Sequence, residues 1–229
     1  MANKSRNPYE QKRAEAARKA KSQRYVRLAA VAVAVVAVIV VAVVILKSIG
    51  GKTDPGYGFA PGEKPRVTIS FEGFGDVLVE LEPDVAPITV ANFLKLAGDG
   101  FYDGLTIHRV APGFVIQGGD PSGDGSGGSG ETIKGEFSSN GVANDIEHVR
   151  GVISMARVGG DNDSATSQFF ITLGDARGSL DGSYAGFGHV IDGMDVIDAI
   201  AAVPLVDPAN TQGSAPVTPV VIRQIAVNG

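Results

Sequence analysis

The stretch Ile107–Asp120, with the sequence IHRVAPGFVIQGGD, organises the interpretation of the whole chain. It indicates a strand that carries Arg109, a Pro-Gly turn, a second short apolar strand, and a Gly-Gly break that opens a glycine-rich loop. The guanidinium of Arg109, the ring of Phe114 and the amide of Gln117 therefore lie within one short segment, on rigid elements. This combination suits recognition of a polar, partly apolar ligand such as a peptide.

The sequence on both sides of this stretch predicts a mainly β domain. Apolar residues alternate with polar ones around a Gly turn over residues 67–81, which indicates a hairpin. A helix is predicted from Pro87, because Val90, Phe93, Leu94 and Ala97 share one helical face. Further strands are predicted at Thr106–Val110, Phe114–Gln117, Val152–Ala156, Phe169–Leu173, Phe187–Ile191 and Val220–Ala226, with a second helix around Met194–Ile200. Many short strands joined by glycine-rich turns suggest a closed antiparallel barrel without open edges.

The N-terminal quarter predicts a membrane anchor. Leu28–Leu46 contains no charged residue, and about 19 helical residues span roughly 28 Å, enough to cross a bilayer. Residues 1–27 hold nine Lys and Arg against two Glu, a balance of +7, so the net charge of −5 leaves −12 for the remainder. This asymmetry predicts a single-pass protein of the cell membrane, with a basic cytoplasmic segment, contact with membrane lipid, and residues 65–229 outside the cytoplasm.

A cleaved signal peptide is the alternative interpretation of this segment. Ser48-Ile49-Gly50 loosely fits the small-x-small pattern of a cleavage site, and the domain would then be secreted. Residues 47–64 are rich in Gly and Pro and form a linker in either case. The chain has no cysteine, so the domain must be stable without disulfides. Its acidic charge argues against nucleic acid as a partner.

Three ordered blocks of the sequence resemble the signature of the cyclophilin-type peptidyl-prolyl cis-trans isomerases. They are Ile107–Asp120, Gly151–Ala156 and Ser167–Ile171, and the resemblance extends from about Pro65 to Val227. It implies a closed eight-stranded antiparallel barrel capped by two α-helices, here preceded by one transmembrane helix. It also implies an isomerase of X-Pro bonds that acts on proline-containing polypeptides without cofactor or metal. We expect the isolated domain to be monomeric.

The resemblance also implies roles for individual residues. Arg109 would donate a hydrogen bond to the prolyl nitrogen, and Phe114 and Gln117 would complete the catalytic set. The backbone at Arg157 would pair with the substrate in the manner of a strand. The other expected substrate-binding residues are Val115, Met155, Ala156, Gln168, Phe170, Leu180 and Tyr184. From the residues alone, a solvated or ion-paired side chain is the favoured interpretation of Arg109, and ordinary core is the favoured interpretation of the apolar residues. The resemblance reverses this preference.

The sequence departs from the familiar family pattern at several positions. Val115 stands where Met is common, Tyr184 where His is common, and Ser179 where many members have Trp. Because that Trp supports cyclosporin binding in the family, we expect weak inhibition by this drug. The loop Arg157–Thr166 is about two residues longer than in familiar members, which is expected to alter the rim of the groove.

Other functions find less support in the sequence. The same groove could serve a non-catalytic chaperone module that binds proline-containing peptides without turnover. A serine hydrolase would need a nucleophile-elbow pattern, which the chain lacks. The loop Gly118–Gly130 lacks the Gly-Lys-Ser/Thr ending of a phosphate-binding loop, and the three histidines lack metal-ligand spacing. Asp161-Asn162-Asp163 has no EF-hand frame around it.

Overall fold

The computed structural model of the chain describes residues 58–228. The predicted basic segment, the predicted transmembrane helix Leu28–Leu46 and most of the predicted linker lie outside the described residues. Within residues 58–228, none of the helices combines the length and apolar character needed to cross a bilayer.

The described residues form nine strands and three α-helices. The strands are β1 (Arg66–Phe71), β2 (Gly75–Leu81), β3 (Thr106–Ile107), β4 (Arg109–Ala111), β5 (Val115–Gly118), β6 (Val152–Met155), β7 (Phe169–Thr172), β8 (Ala185–Asp192) and β9 (Val220–Asn228). The helices are α1 (Pro87–Gly98), α2 (Arg177–Leu180) and α3 (Met194–Ala201), and a short 3₁₀ helix spans Ser138–Asn140.

The strands form one antiparallel sheet that nearly closes into a barrel. Their order is β3-β9-β1-β2-β8-β6-β7-β5-β4, so the two end strands are consecutive in the chain. The prediction of eight strands was wrong by one, because the expected strand Thr106–Val110 is interrupted at His108. Its first half pairs with β9 and its second half with β5. The segment that was predicted as one strand therefore changes its pairing partner where the barrel closes, and its hydrogen-bond ladder is interrupted there.

The helices also differ slightly from the prediction of two. The helix α1 presents the predicted apolar face to the core, with Val90 and Phe93 fully buried, and α3 covers Met194–Ala201 as expected. The additional helix α2 has only four residues. A single turn is too short to show helical periodicity in a sequence.

The apolar side chains divide into a large cluster and a small one. The large cluster fills the barrel, and in it the rings of Phe93, Tyr102, Phe169 and Phe187 pack at centroid distances of 5.2 to 5.7 Å. The small cluster contains Ala111, Val115, Phe170, Ala176 and Leu180, with Phe114, Ala156 and Tyr184 packed against it. This small cluster forms the floor of the site.

Candidate active site

Arg109 and Gln117 share one face of the sheet. They are direct partners in the antiparallel register of β4 and β5, so their side chains emerge side by side. The Nη1 group of Arg109 donates a hydrogen bond to Oε1 of Gln117 at 2.9 Å, and Nε donates to the backbone carbonyl of Gln212 at 2.6 Å. The guanidinium is therefore held at two points, and three of its five N–H donors are left over within residues 58–228.

A chain of hydrogen bonds links this arginine to the glycine-rich loop. The Nε2 group of Gln117 donates to Oε1 of Gln168 at 2.8 Å. Gln168 in turn donates to the carbonyls of Gly125 and Gly127 at 3.0 and 2.8 Å. Because each acceptor is itself fixed by the next group, the guanidinium is preorganised.

Two neighbouring cavities form a groove over these residues. The first has a volume of about 350 Å³ and is lined by Arg109, Phe114, Val115, Gln117, Ala156, Arg157, Phe170, Ser179, Leu180, Tyr184 and Gln212. The second, also about 350 Å³, is lined by Gln117, Gly125, Ser126, Gly127, Gly128, Gly130, Ala156, Arg157, Val158, Ser164, Thr166 and Gln168. The small apolar cluster forms the floor of the first cavity, and the guanidinium of Arg109 lies at its rim. The groove is continuous because both cavities share Gln117, Ala156 and Arg157.

Arg157 lies where the two cavities meet. Its guanidinium carbon lies 4.9 Å from the ring centroid of Tyr184 and 5.3 Å from that of Phe137. Its Nε donates to the carbonyl of Ser183 at 2.8 Å. Among residues 58–228, neither the backbone N–H nor the C=O of Arg157 has a hydrogen-bond partner. An extended peptide could pair with these groups.

Comparison with known proteins decides the family. The model of the family described as cyclophilin type peptidyl-prolyl cis-trans isomerase matches residues 66–227, close to the extent predicted from the sequence. The chain belongs to this cyclophilin family. The prediction of an enzyme of this class is thereby confirmed.

Individual relatives agree with this assignment. Peptidyl-prolyl cis-trans isomerase B of Bacillus subtilis is 51% identical over 116 residues, which cover 51% of this chain and 76% of that protein. Peptidyl-prolyl cis-trans isomerase A of Dickeya dadantii is 39% identical over 158 residues, which cover 67% of this chain and 80% of that protein. The crystal structure of a cyclophilin-type isomerase from Cryptosporidium parvum superposes with a TM-score of 0.65 at 31% identity, over 73% of this chain and 99% of that one.

Ten of the eleven side chains predicted for the cyclophilin site line the groove, and Met155 does not. Met155 is 1% exposed and belongs to the large cluster inside the barrel. Successive side chains of a strand point to opposite faces, so Met155 at the end of β6 faces inward and the following Ala156 faces the groove. The structure therefore separates this residue from the others.

The sequence prediction missed the groove wall formed by the glycine-rich loop. The carboxylate of Asp120, 1% exposed, accepts hydrogen bonds from the backbone N–H groups of Ser122, Asp124 and Gly125. The loop can then present its carbonyls to Gln168. Its glycine content was the available signal, but without a phosphate motif it suggested no binding role.

Two further parts of the groove were also not predicted. The carbonyl of Gln212 holds Arg109 from a loop remote in sequence, which no local pattern indicates. Val158, Ser164 and Thr166 place the long loop Arg157–Thr166 on the rim of the second cavity. The expectation that this loop contributes to the rim therefore has a structural basis.

A buried histidine lies behind the first cavity. His148 is 1% exposed, and its ring stacks on that of Phe170 at a centroid distance of 6.1 Å. Its Nδ1 lies 2.8 Å from Oδ1 of Asp181, and its Nε2 lies 3.0 Å from Oγ of Ser154. Burial lowers the pKa of His148 despite the opposing effect of Asp181. In the neutral ring, Nδ1 donates a hydrogen bond to the carboxylate of Asp181, and Nε2 accepts a hydrogen bond from the hydroxyl group of Ser154.

This Asp-His-Ser series resembles a hydrolase triad only in its order. The Ser154 side chain is fully buried, so it offers no nucleophile to a peptide in the groove. Within residues 58–228, no group of three or more His, Asp or Glu side chains is arranged to hold a metal ion.

Proposed function

We propose that this cyclophilin accelerates rotation about X-Pro bonds in exported or envelope proteins by donating a hydrogen bond from Arg109 to the prolyl nitrogen. One observation carries the proposal. The guanidinium of Arg109, with three N–H donors uncommitted in the described part of the chain, is fixed at the rim of a cavity with an apolar floor.

The proposed chemistry needs no bond cleavage. Rotation about the peptide bond is opposed by a barrier of about 18–20 kcal/mol, because resonance gives the C–N bond double-bond character. When the bond twists, the nitrogen regains its lone pair and becomes a hydrogen-bond acceptor. A donor aimed at this position stabilises the twisted state more than the planar one, and such a donor contributes a factor of about 10²–10³ to the rate.

The floor of the first cavity would hold the proline ring. Phe114, Phe170 and Leu180 supply apolar surface there, and Tyr184 packs edge-on against Phe170 at a centroid distance of 5.6 Å. Gln117 would donate to a peptide carbonyl next to the rotating bond, and the free backbone groups of Arg157 would align the client. A structure of the Cryptosporidium parvum protein has also been solved in the presence of the dipeptide Ala-Pro, and it superposes on this chain with a TM-score of 0.63. This structure supports proline peptides as the ligand class.

The site of action is proposed from the sequence. A basic segment followed by Leu28–Leu46 favours a membrane anchor with its N-terminus in the cytoplasm. The clients would then be polypeptides folding outside the cytoplasm. In the alternative, signal cleavage releases the domain and leaves the chemistry unchanged.

A protease-coupled assay with the full chain and a prolyl peptide tests the catalytic proposal. We expect a clear acceleration by the wild-type protein and a loss of about 10²–10³ in kcat/KM for Arg109→Ala. Arg223→Ala is the matched control, because Arg223 is an exposed arginine paired with Asp76 on another face of the barrel. Wild-type protein that binds the peptide without acceleration would instead favour a non-catalytic binding module.

A further inference from the structure

The groove is lined by cations although the domain around it is acidic. Residues 58–228 contain 22 Asp and Glu residues against nine Lys and Arg residues. Arg109 and Arg157 line the two cavities, and no acidic side chain of the described residues does. A charge distribution of this kind concentrates anionic ligands at the groove.

The groove arginines also differ from most other cations in their pairing. Six of the nine described cations lie within 4 Å of a carboxylate: Lys64, Arg66, Lys95, Arg150, Arg177 and Arg223. Among residues 58–228, the three cations outside these pairs are Arg109, Lys134 and Arg157. Lys134 is exposed on a loop. The pKa of nearby Asp163 is lowered chiefly by hydrogen bonds from the Gly135 backbone and the Asn140 side chain, and to a smaller extent by the charge of Lys134. The groove therefore holds two arginines whose carboxylate partner is not supplied by the described domain.

The guanidinium of Arg157 is immobilised in a position where it can bind a carboxylate. Two of its five N–H donors bind the neutral carbonyls of Ser183 and Val158, so three are left over among the residues that the structure describes. The rings of Phe137 and Tyr184 fix the plane of the guanidinium. A carboxylate that binds here meets an immobilised donor, which reduces the entropy lost on binding.

We infer that the preferred substrates are proline peptides with a carboxylate side chain within about two residues of the proline. This inference rests on the proposed function. Arg157 borders both the cavity proposed for the proline ring and the neighbouring one. An extended chain advances about 3.3 Å per residue, so a side chain one or two residues from the proline reaches this guanidinium.

Exchange spectroscopy by NMR can test this with the full chain and end-blocked alanine peptides that contain one proline. Glu, Gln or Lys is placed at the first or the second position before or after the proline. We expect kcat/KM to be about fivefold higher for Glu than for Gln at one of these positions, and lowest for Lys, as for a half-exposed ion pair. The Glu preference should shrink between about 0.05 M and about 0.5 M salt, because exposed charges are screened.

Charge-matched variants assign the preference to one residue. Arg157→Gln should lower the Glu-to-Gln ratio of kcat/KM to below about twofold, whereas Lys134→Gln removes the same charge outside the groove and should keep the ratio. Equal rates for Glu and Gln peptides would overturn the inference and leave the proposed isomerase function intact. A ratio that survives Arg157→Gln would also overturn it. Absence of catalysis on every peptide would instead refute the proposed function.

Discussion

Arg109 depends on neighbours that are close and distant in the chain. Gln117 lies eight residues away, on the paired strand, whereas Gln212 lies 103 residues away. Burial lowers the pKa of Arg109, but arginine stays charged in proteins. The two neutral acceptors orient the guanidinium without neutralising it, so its charge is available to a substrate.

One buried histidine, His148, and one half-buried histidine, His108, predict how stability responds to pH. Burial lowers the pKa values of His108 and His148 from the ordinary 6.5, and the two ring nitrogens of His108 have no hydrogen-bond partner in the described structure. Below pH 6.5 the unfolded chain binds protons that the folded chain does not, so these groups lower the free energy of unfolding as pH falls.

Thermal unfolding between about pH 5.5 and 7.5 checks this. In the double variant His108→Gln/His148→Gln, Tm should fall less on acidification than in the wild type. The titration of the many surface carboxylates is common to both proteins and cancels in this difference. Identical slopes in the two proteins would contradict the assignment.

At the level of elements, the glycine-rich loop and the β4–β5 pair form one unit. A Cβ atom at Gly127 would collide with the Asp120 carboxylate and with Ser122, so the loop packs closely only because this position lacks a side chain. The loop in turn fixes Gln168, and Gln168 fixes Gln117. The orientation of Arg109 thus depends on the packing of a loop that it does not touch.

Gly127→Ala should therefore impair catalysis from a distance. We expect kcat/KM for a prolyl peptide to fall by about tenfold or more, because small misplacements of catalytic groups are costly. Gly98→Ala is the control, since a Cβ at Gly98 meets no described atom within 4 Å. Equal activities of the two variants would show that the loop does not orient the site.

At the level of the whole molecule, charge divides the chain into two parts. The first 27 residues are strongly basic, and residues 58–228 are strongly acidic. This contrast and the uncharged run Leu28–Leu46 underlie the proposed anchor, in which the acidic domain would lie on the side where positively charged segments are disfavoured.

Intact mass and protease accessibility test this topology. The chain extracted from membranes should retain its first 50 residues, and protease added outside intact cells should digest the domain but spare an N-terminal tag. A mature mass that lacks the N-terminal segment would support signal cleavage and a secreted domain. Protection of the domain from external protease would contradict both arrangements.

The sequence by itself determined the family, most elements, and ten of the residues that line the groove. Alternation and helical periodicity are local properties, and the motif around Arg109 is contiguous. All three can therefore be recognised from the sequence alone. Only the tertiary structure decided that the strand breaks at His108, that Met155 faces the core, and that Gln212 and the glycine-rich loop support the site. These features arise where the closing barrel brings distant segments together, and contacts between distant segments leave no periodic trace in a sequence.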